Sequence, residues 1–105
     1  MDTKSKITKN KIKETIVNID PNVDIILYGS RARGDERPNS DWDILILTGY
    51  PVSITKEREF RNALYDLELE TGEVFSVFIY SRKDWNEKQS ITPFYQNVTI
   101  EGIRI

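Results

Sequence analysis

The sequence predicts an α/β (α+β) domain, and three observations predict it. Three short apolar runs, VDIILY from Val23, WDILILT from Trp42 and VFSVFIY from Val74, are rich in β-branched and aromatic residues and bounded by turn formers, as buried strands are. Before, between and after them lie stretches whose apolar residues recur at helical spacing. At 105 residues the chain has room for one core, so the elements share a single domain over residues 1–105.

Taken in order, residues 4–19 place Ile12, Ile16 and Ile19 on one helical face and lysines on the other. This helix ends before Pro21, because the residue preceding a proline disfavours the helical region. Its lysines read as a solvated face, with a phosphate-binding role as the alternative. The run 23–28 is the first strand, closed by Gly29-Ser30, and Ser30 is a good N-cap for a short helix. Residues 34–40, GDERPNS, are turn formers and charges and read as a loop. The run 42–48 is the second strand, stopped by Gly49 and Pro51. From residue 54 to 71, Phe60, Leu64 and Leu67 form the apolar stripe of a helix, with Gly72 just past its end. The run 74–80 is the third strand. Ser81 then caps a short helix, with Asp84 at the capping-box position and Trp85 as its anchor. Thr92-Pro93 pairs an N-cap with a proline at the first helical position, opening a last helix to about Glu101 that Gly102 ends. Ile103-Arg104-Ile105 reads as a tail or as a short edge strand.

Composition narrows the chemistry. The chain has no cysteine and no histidine, which removes disulfides, thiolate nucleophiles, structural zinc and imidazole acid–base catalysis. Catalysis is left to carboxylates, hydroxyls, Lys, Arg and a hard metal ion. With 15 Lys plus Arg against 17 Asp plus Glu the net charge is −2, which argues against a dedicated nucleic-acid binder. No apolar run approaches membrane-spanning length and the N-terminus has no apolar leader core, so the expectation is a cytoplasmic protein with no membrane partner.

The informative stretch is YGSRARGDERPNSDWDILIL, residues 28–47. Asp41 and Asp43 are one residue apart at the start of a strand, so their carboxylates point to the same side, several Å apart. Like charges that close repel unless a cation sits between them, and oxygen ligands alone suit Mg²⁺ or Mn²⁺. An isolated pair of this kind reads more simply as two solvated aspartates at a strand entrance. What precedes it changes the weight. Gly29 at a strand end lets the backbone turn sharply and a phosphate approach closely. Ser30 adds a hydroxyl and backbone N–H groups at a helix start, which attract anions. Arg31 and Arg33 can neutralise phosphate, although one of them can equally face solvent or pair with Asp35 or Glu36.

Gly29-Ser30-Arg31-Ala32-Arg33-Gly34, five residues, then Ser40-Asp41-Trp42-Asp43-Ile44 resembles the G-S-x-A-R-G…S-D-x-D-[LI] signature of minimal nucleotidyltransferases of the DNA polymerase β-like superfamily. The resemblance covers about residues 23–80. It implies the nucleotidyltransferase fold, a small mixed β-sheet backed by helices. It also implies nucleotide and phosphate contacts from Gly29, Ser30, Arg31, Arg33 and Ser40, with Asp41 and Asp43 as the catalytic, metal-carrying pair. The implied substrate is ATP or another nucleoside triphosphate with Mg²⁺ or Mn²⁺. The implied reaction is transfer of a nucleoside monophosphate, usually AMP, to a hydroxyl with release of pyrophosphate. Minimal members of the group are commonly paired, as antitoxin, with a small helical HEPN-type toxin, and some add AMP to that partner.

One departure stands out. The family's third carboxylate lies on the following strand, and the residue that aligns with it is Ser76, which supplies neither the charge nor a comparable base. Glu73 falls on the opposite face of a regular strand; a bulge, or Glu68 or Glu70 from the preceding helix, are the remaining substitutes. The alternative function is therefore a nucleotide-binding domain of weak or no catalytic power that neutralises its partner by contact. Trp85, Phe94 and Tyr95 read either as core packing or as a docking surface for such a partner.

Overall fold

The computed structural model describes residues 1–105. Helix α1 (Thr3–Ile19) starts at Asp2, whose carboxylate accepts a hydrogen bond from Ser5 N. Strand β1 (Asp24–Tyr28) leads through Gly29 into a single helical turn, α2 (Ser30–Arg33). Strand β2 (Trp42–Thr48), helix α3 (Ile54–Thr71) and strand β3 (Phe75–Ser81) follow. Two short helices, α4 (Arg82–Glu87) and α5 (Pro93–Glu101), lead to a two-residue strand β4 (Ile103–Arg104). The predicted helix caps at Ser81 and Thr92 hold, and Ser53 caps α3, each side-chain oxygen accepting from the N3 amide. At α2 the cap is Gly29 and Ser30 is already the first helical residue, a correction of one position.

The four strands form one mixed sheet in the order β3-β2-β1-β4. β2 and β3 are parallel, joined by α3 as the crossover, whereas β1 pairs antiparallel with both β2 and β4. The C-terminal residues thus resolve as an edge strand, with Ile103 opposite Leu27 and Arg104 opposite Ile26.

Strand alternation divides the sheet into two faces. On one, Ile25, Leu27, Trp42, Ile44, Ile46 and Phe75 pack with Ile12 and Ile16 of α1 and with Phe60, Leu64 and Leu67 of α3. Burying this set relative to the unfolded chain is the main stabilising term, at about 1.5–3 kcal/mol for each large apolar side chain. On the other, Leu45 and Leu47 pack beneath Trp85 and Val98, flanked by Tyr28, Tyr80, Phe94 and Tyr95. Trp85 contacts the Tyr80, Phe94 and Tyr95 rings at centroid distances of 5.0–5.7 Å. These C-terminal aromatics are therefore core packing on the second face.

Candidate functional site

The second face runs out of apolar cover at the end of the sheet where β2 begins, and charged residues gather there. Tyr28 of β1 and Ser76 of β3 both lie beside Asp43 in register, so the three side chains form one row on one face. Asp41 stands two residues earlier, just before the strand, exposed and near enough for its charge to act on Asp43. Asp43 is partly buried, and its carboxyl is pushed above the usual carboxylate range by that burial and then by the charges of Asp41 and Glu101, with Arg33 opposing. The Tyr28 hydroxyl is also pushed up, by burial first and by Asp43 second. Burial is the main cause of both shifts, and neighbouring negative charge adds to it.

Gly29 joins the turn to the aspartates. Its φ is +74°, a left-handed region that L side chains rarely adopt, and a Cβ there would overlap the Asp43 carboxylate. The Gly29 turn and Asp43 therefore lie directly against each other. No group of three His, Cys, Asp or Glu side chains converges anywhere in the chain as a ready metal site. Two neighbouring carboxylates with open surroundings fit Mg²⁺, which commonly takes one or two protein carboxylates and completes its shell with water and phosphate oxygens.

The nucleotidyltransferase domain family matches residues 9–101. The chain belongs to that family. Three solved structures share its nucleotidyltransferase fold. A toxin-antitoxin structure with AMP-PNP is 20% identical with a TM-score of 0.67, covering 91% of this chain and 70% of that one. An MntA-HpeT toxin-antitoxin mutant with two aspartates changed to glutamate is 18% identical with a TM-score of 0.64, covering 91% and 70%. A tyrosine-to-alanine mutant of the same pair is 20% identical with a TM-score of 0.63, covering 92% and 70%. Comparison with curated protein sequences gives no match.

Within this nucleotidyltransferase frame the two arginines part company. Arg33 is exposed and stays beside the turn, donating to Asp35 Oδ2 at 3.2 Å and to Glu101 Oε2 at 2.9 Å. Arg31 does not face the aspartates. It is buried on the α1 side, where it donates to Ser5 Oγ (3.2 Å) and Ser40 O (2.9 Å), lies 3.6 Å from Glu73 Oε2 and stacks 4.7 Å above the Trp42 ring. Arg31, expected at the phosphate, has instead a π face and a carboxylate opposite its guanidinium, and so ties α1, α2 and β2 together. Ser40 belongs to the same tie: its carbonyl holds Arg31 and its hydroxyl accepts from Arg37 N at 2.8 Å. Ser30 stays in the turn at the first helical position, half-buried.

None of the expected substitutes for the missing carboxylate reaches the site. Glu73 is held by Arg31 and Lys4, Glu68 accepts from Phe75 N, and Glu70 pairs with Lys11. The acidic side chain that does reach it is Glu101 at the end of α5, whose Oε1 accepts from Gly29 N at 3.1 Å. Sequence reasoning passed over it as a helix terminus. The available signal was electrostatic, because a glutamate in the last turn opposes the helix dipole and calls for a compensating donor.

Proposed function

We propose that this protein is a metal-dependent nucleotidyltransferase that moves a nucleoside monophosphate, AMP from ATP, onto a hydroxyl of a protein acceptor, and that the acceptor is the toxin of a HEPN-type pair. The observation that supports the reading is the close approach of Gly29, on the turn we assign to phosphate, to Asp43 of the proposed metal pair. The family match and the AMP-PNP named for one structural relative support it. Asp41 and Asp43 would hold Mg²⁺ or Mn²⁺, which in such sites favours the attacking alkoxide and stabilises the leaving pyrophosphate. Gly29 N–H, Ser30 and Arg33 would hold the triphosphate. The acceptor oxygen bonds to the α-phosphorus as the bond to pyrophosphate breaks, and the hydroxyl proton leaves to solvent. The protein's share is positioning and charge.

A second reading has its own observation. Ser76 lies beside Asp43 in register, where the resemblance places a third carboxylate, and no acidic residue of β3 or α3 substitutes for it. This favours a nucleotide-binding antitoxin that neutralises by contact. Transfer of label from α-labelled ATP with Mg²⁺ or Mn²⁺ to the protein encoded beside this one separates the two. Labelled partner, absent with Asp43→Asn, establishes the transferase. ATP binding without label, together with neutralisation that survives Asp41→Asn, establishes the binding module.

A further inference from the structure

Glu101 is placed by the sheet and not by chance. β4 runs antiparallel to β1 with Ile103 opposite Leu27, and continuing that register by two residues sets Glu101 opposite Gly29. The approach is close, since a Cβ on Gly102 would overlap the Val98 carbonyl and the Ile26 side chain. From there the two carboxylate oxygens take separate donors, Oε1 from Gly29 N at 3.1 Å and Oε2 from Arg33 Nη1 at 2.9 Å. The Arg33 contact, with help from Gly29, holds the Glu101 carboxyl below its ordinary range, so it is ionised at neutral pH. An acidic residue at a helix C-terminus is disfavoured by the dipole, and here the two donors offset that cost. The Gly29 amide and the Arg33 guanidinium are the same two groups that the proposed function assigns to the triphosphate.

We infer that Glu101 is a built-in competitor for the anion site: its carboxylate occupies the Gly29 amide and Arg33 in the free protein, and a phosphate chain binds by displacing it. The inference rests on the placement of phosphate at this turn given above. It carries a consequence for affinity, because each phosphate contact with these donors first breaks one with Glu101, and the displaced charge stays close to Asp43. It also gives the turn a reason to be ordered without ligand, as the resident carboxylate holds both donors in place.

The test measures binding of ATP with Mg²⁺ and, separately, of pyrophosphate alone, by calorimetry and by amide NMR of Gly29, in wild type, Glu101→Gln and Glu101→Ala. Removing one competing charge at a partly exposed pair is expected to tighten both ligands by on the order of tenfold. The free-state Gly29 amide should shift in Glu101→Ala and move on ligand addition in all three proteins. The alanine variant removes the acceptor that glutamine retains, and thermal melts confirm that each variant is folded. Equal or weaker binding of pyrophosphate in both variants overturns the inference, and weaker binding would make Glu101 a helper of the ligand. Tighter pyrophosphate with no ATP binding in any protein upholds the occupied anion site and sinks the nucleotide reading. Absence of binding by both ligands throughout overturns both.

Discussion

The two faces of one strand, β2, do different jobs. Trp42, Ile44 and Ile46 point into the layer of α1 and α3 and are fully buried, whereas Asp43, one residue away, points to the opposite face among Tyr28, Ser76 and Glu101. The first face is an apolar contact set whose value lies in area removed from water. The second trades part of that stabilisation for concentrated negative charge, which costs free energy until a cation or a donor meets it. The difference teaches that stability and binding here separate by side-chain parity and not by distance along the chain.

The largest effect is expected from breaking the apolar face. Phe60→Ala removes a fully buried ring and should cost about 3–5 kcal/mol in denaturant unfolding, with nucleotide affinity of the remaining folded protein unchanged. Next comes Arg31, which links the face to the motif. Arg31→Met leaves Glu73, itself nine-tenths buried, with only the exposed Lys4 at 3.8 Å, at a cost of about 3 kcal/mol. If Arg31 were a phosphate contact instead, the same variant would lose affinity with little change in its melting curve. Gly29→Ala sharpens the boundary itself, since the left-handed backbone costs about 1–2 kcal/mol before the overlap with Asp43 is counted. Equilibrium unfolding with ATP titration should therefore show loss of both stability and binding.

The smaller effects lie on the charged face and at the rim. Asp43 has its folded pKa raised, so its ionised form is disfavoured in the native state and burdens stability at neutral pH. Asp43→Asn should accordingly be neutral or slightly stabilising, within about 0.5 kcal/mol, while abolishing Mg²⁺-dependent ATP binding. A clear loss of stability would mean that the carboxylate is a structural acceptor. At the opposite end of the sheet, Tyr50 donates to Asp20 Oδ2 at 2.7 Å, and burial with that bond pushes its phenol up to about 12. The raised value makes this tie intact below the ordinary value of 10.0 and lost as pH rises through about 12. Tyr50→Phe should remove that alkaline component in pH-resolved melts, at no more than about 0.5 kcal/mol near neutrality.

By itself the sequence determined the periodic and the local. Strand runs at 23–28, 42–48 and 74–80 and the helix caps at Ser81 and Thr92 all follow from residue type and spacing within a few positions. The match of Ser76 to the level of Asp43 agrees with the family resemblance, which aligns Ser76 with the third carboxylate. Tertiary structure alone decided the fate of the charged side chains. Arg31 and Arg33 are two residues apart on one helical turn, so they leave it on different sides, and which side meets Trp42 and Glu73 depends on where α1 and the start of β3 pack. Glu101 meets Gly29, 72 residues away in the chain, only because β4 pairs with β1. Period and propensity act over a few residues, whereas a salt bridge or a hydrogen bond to a turn requires two distant segments to be held within about 3 Å, which only the packed sheet supplies.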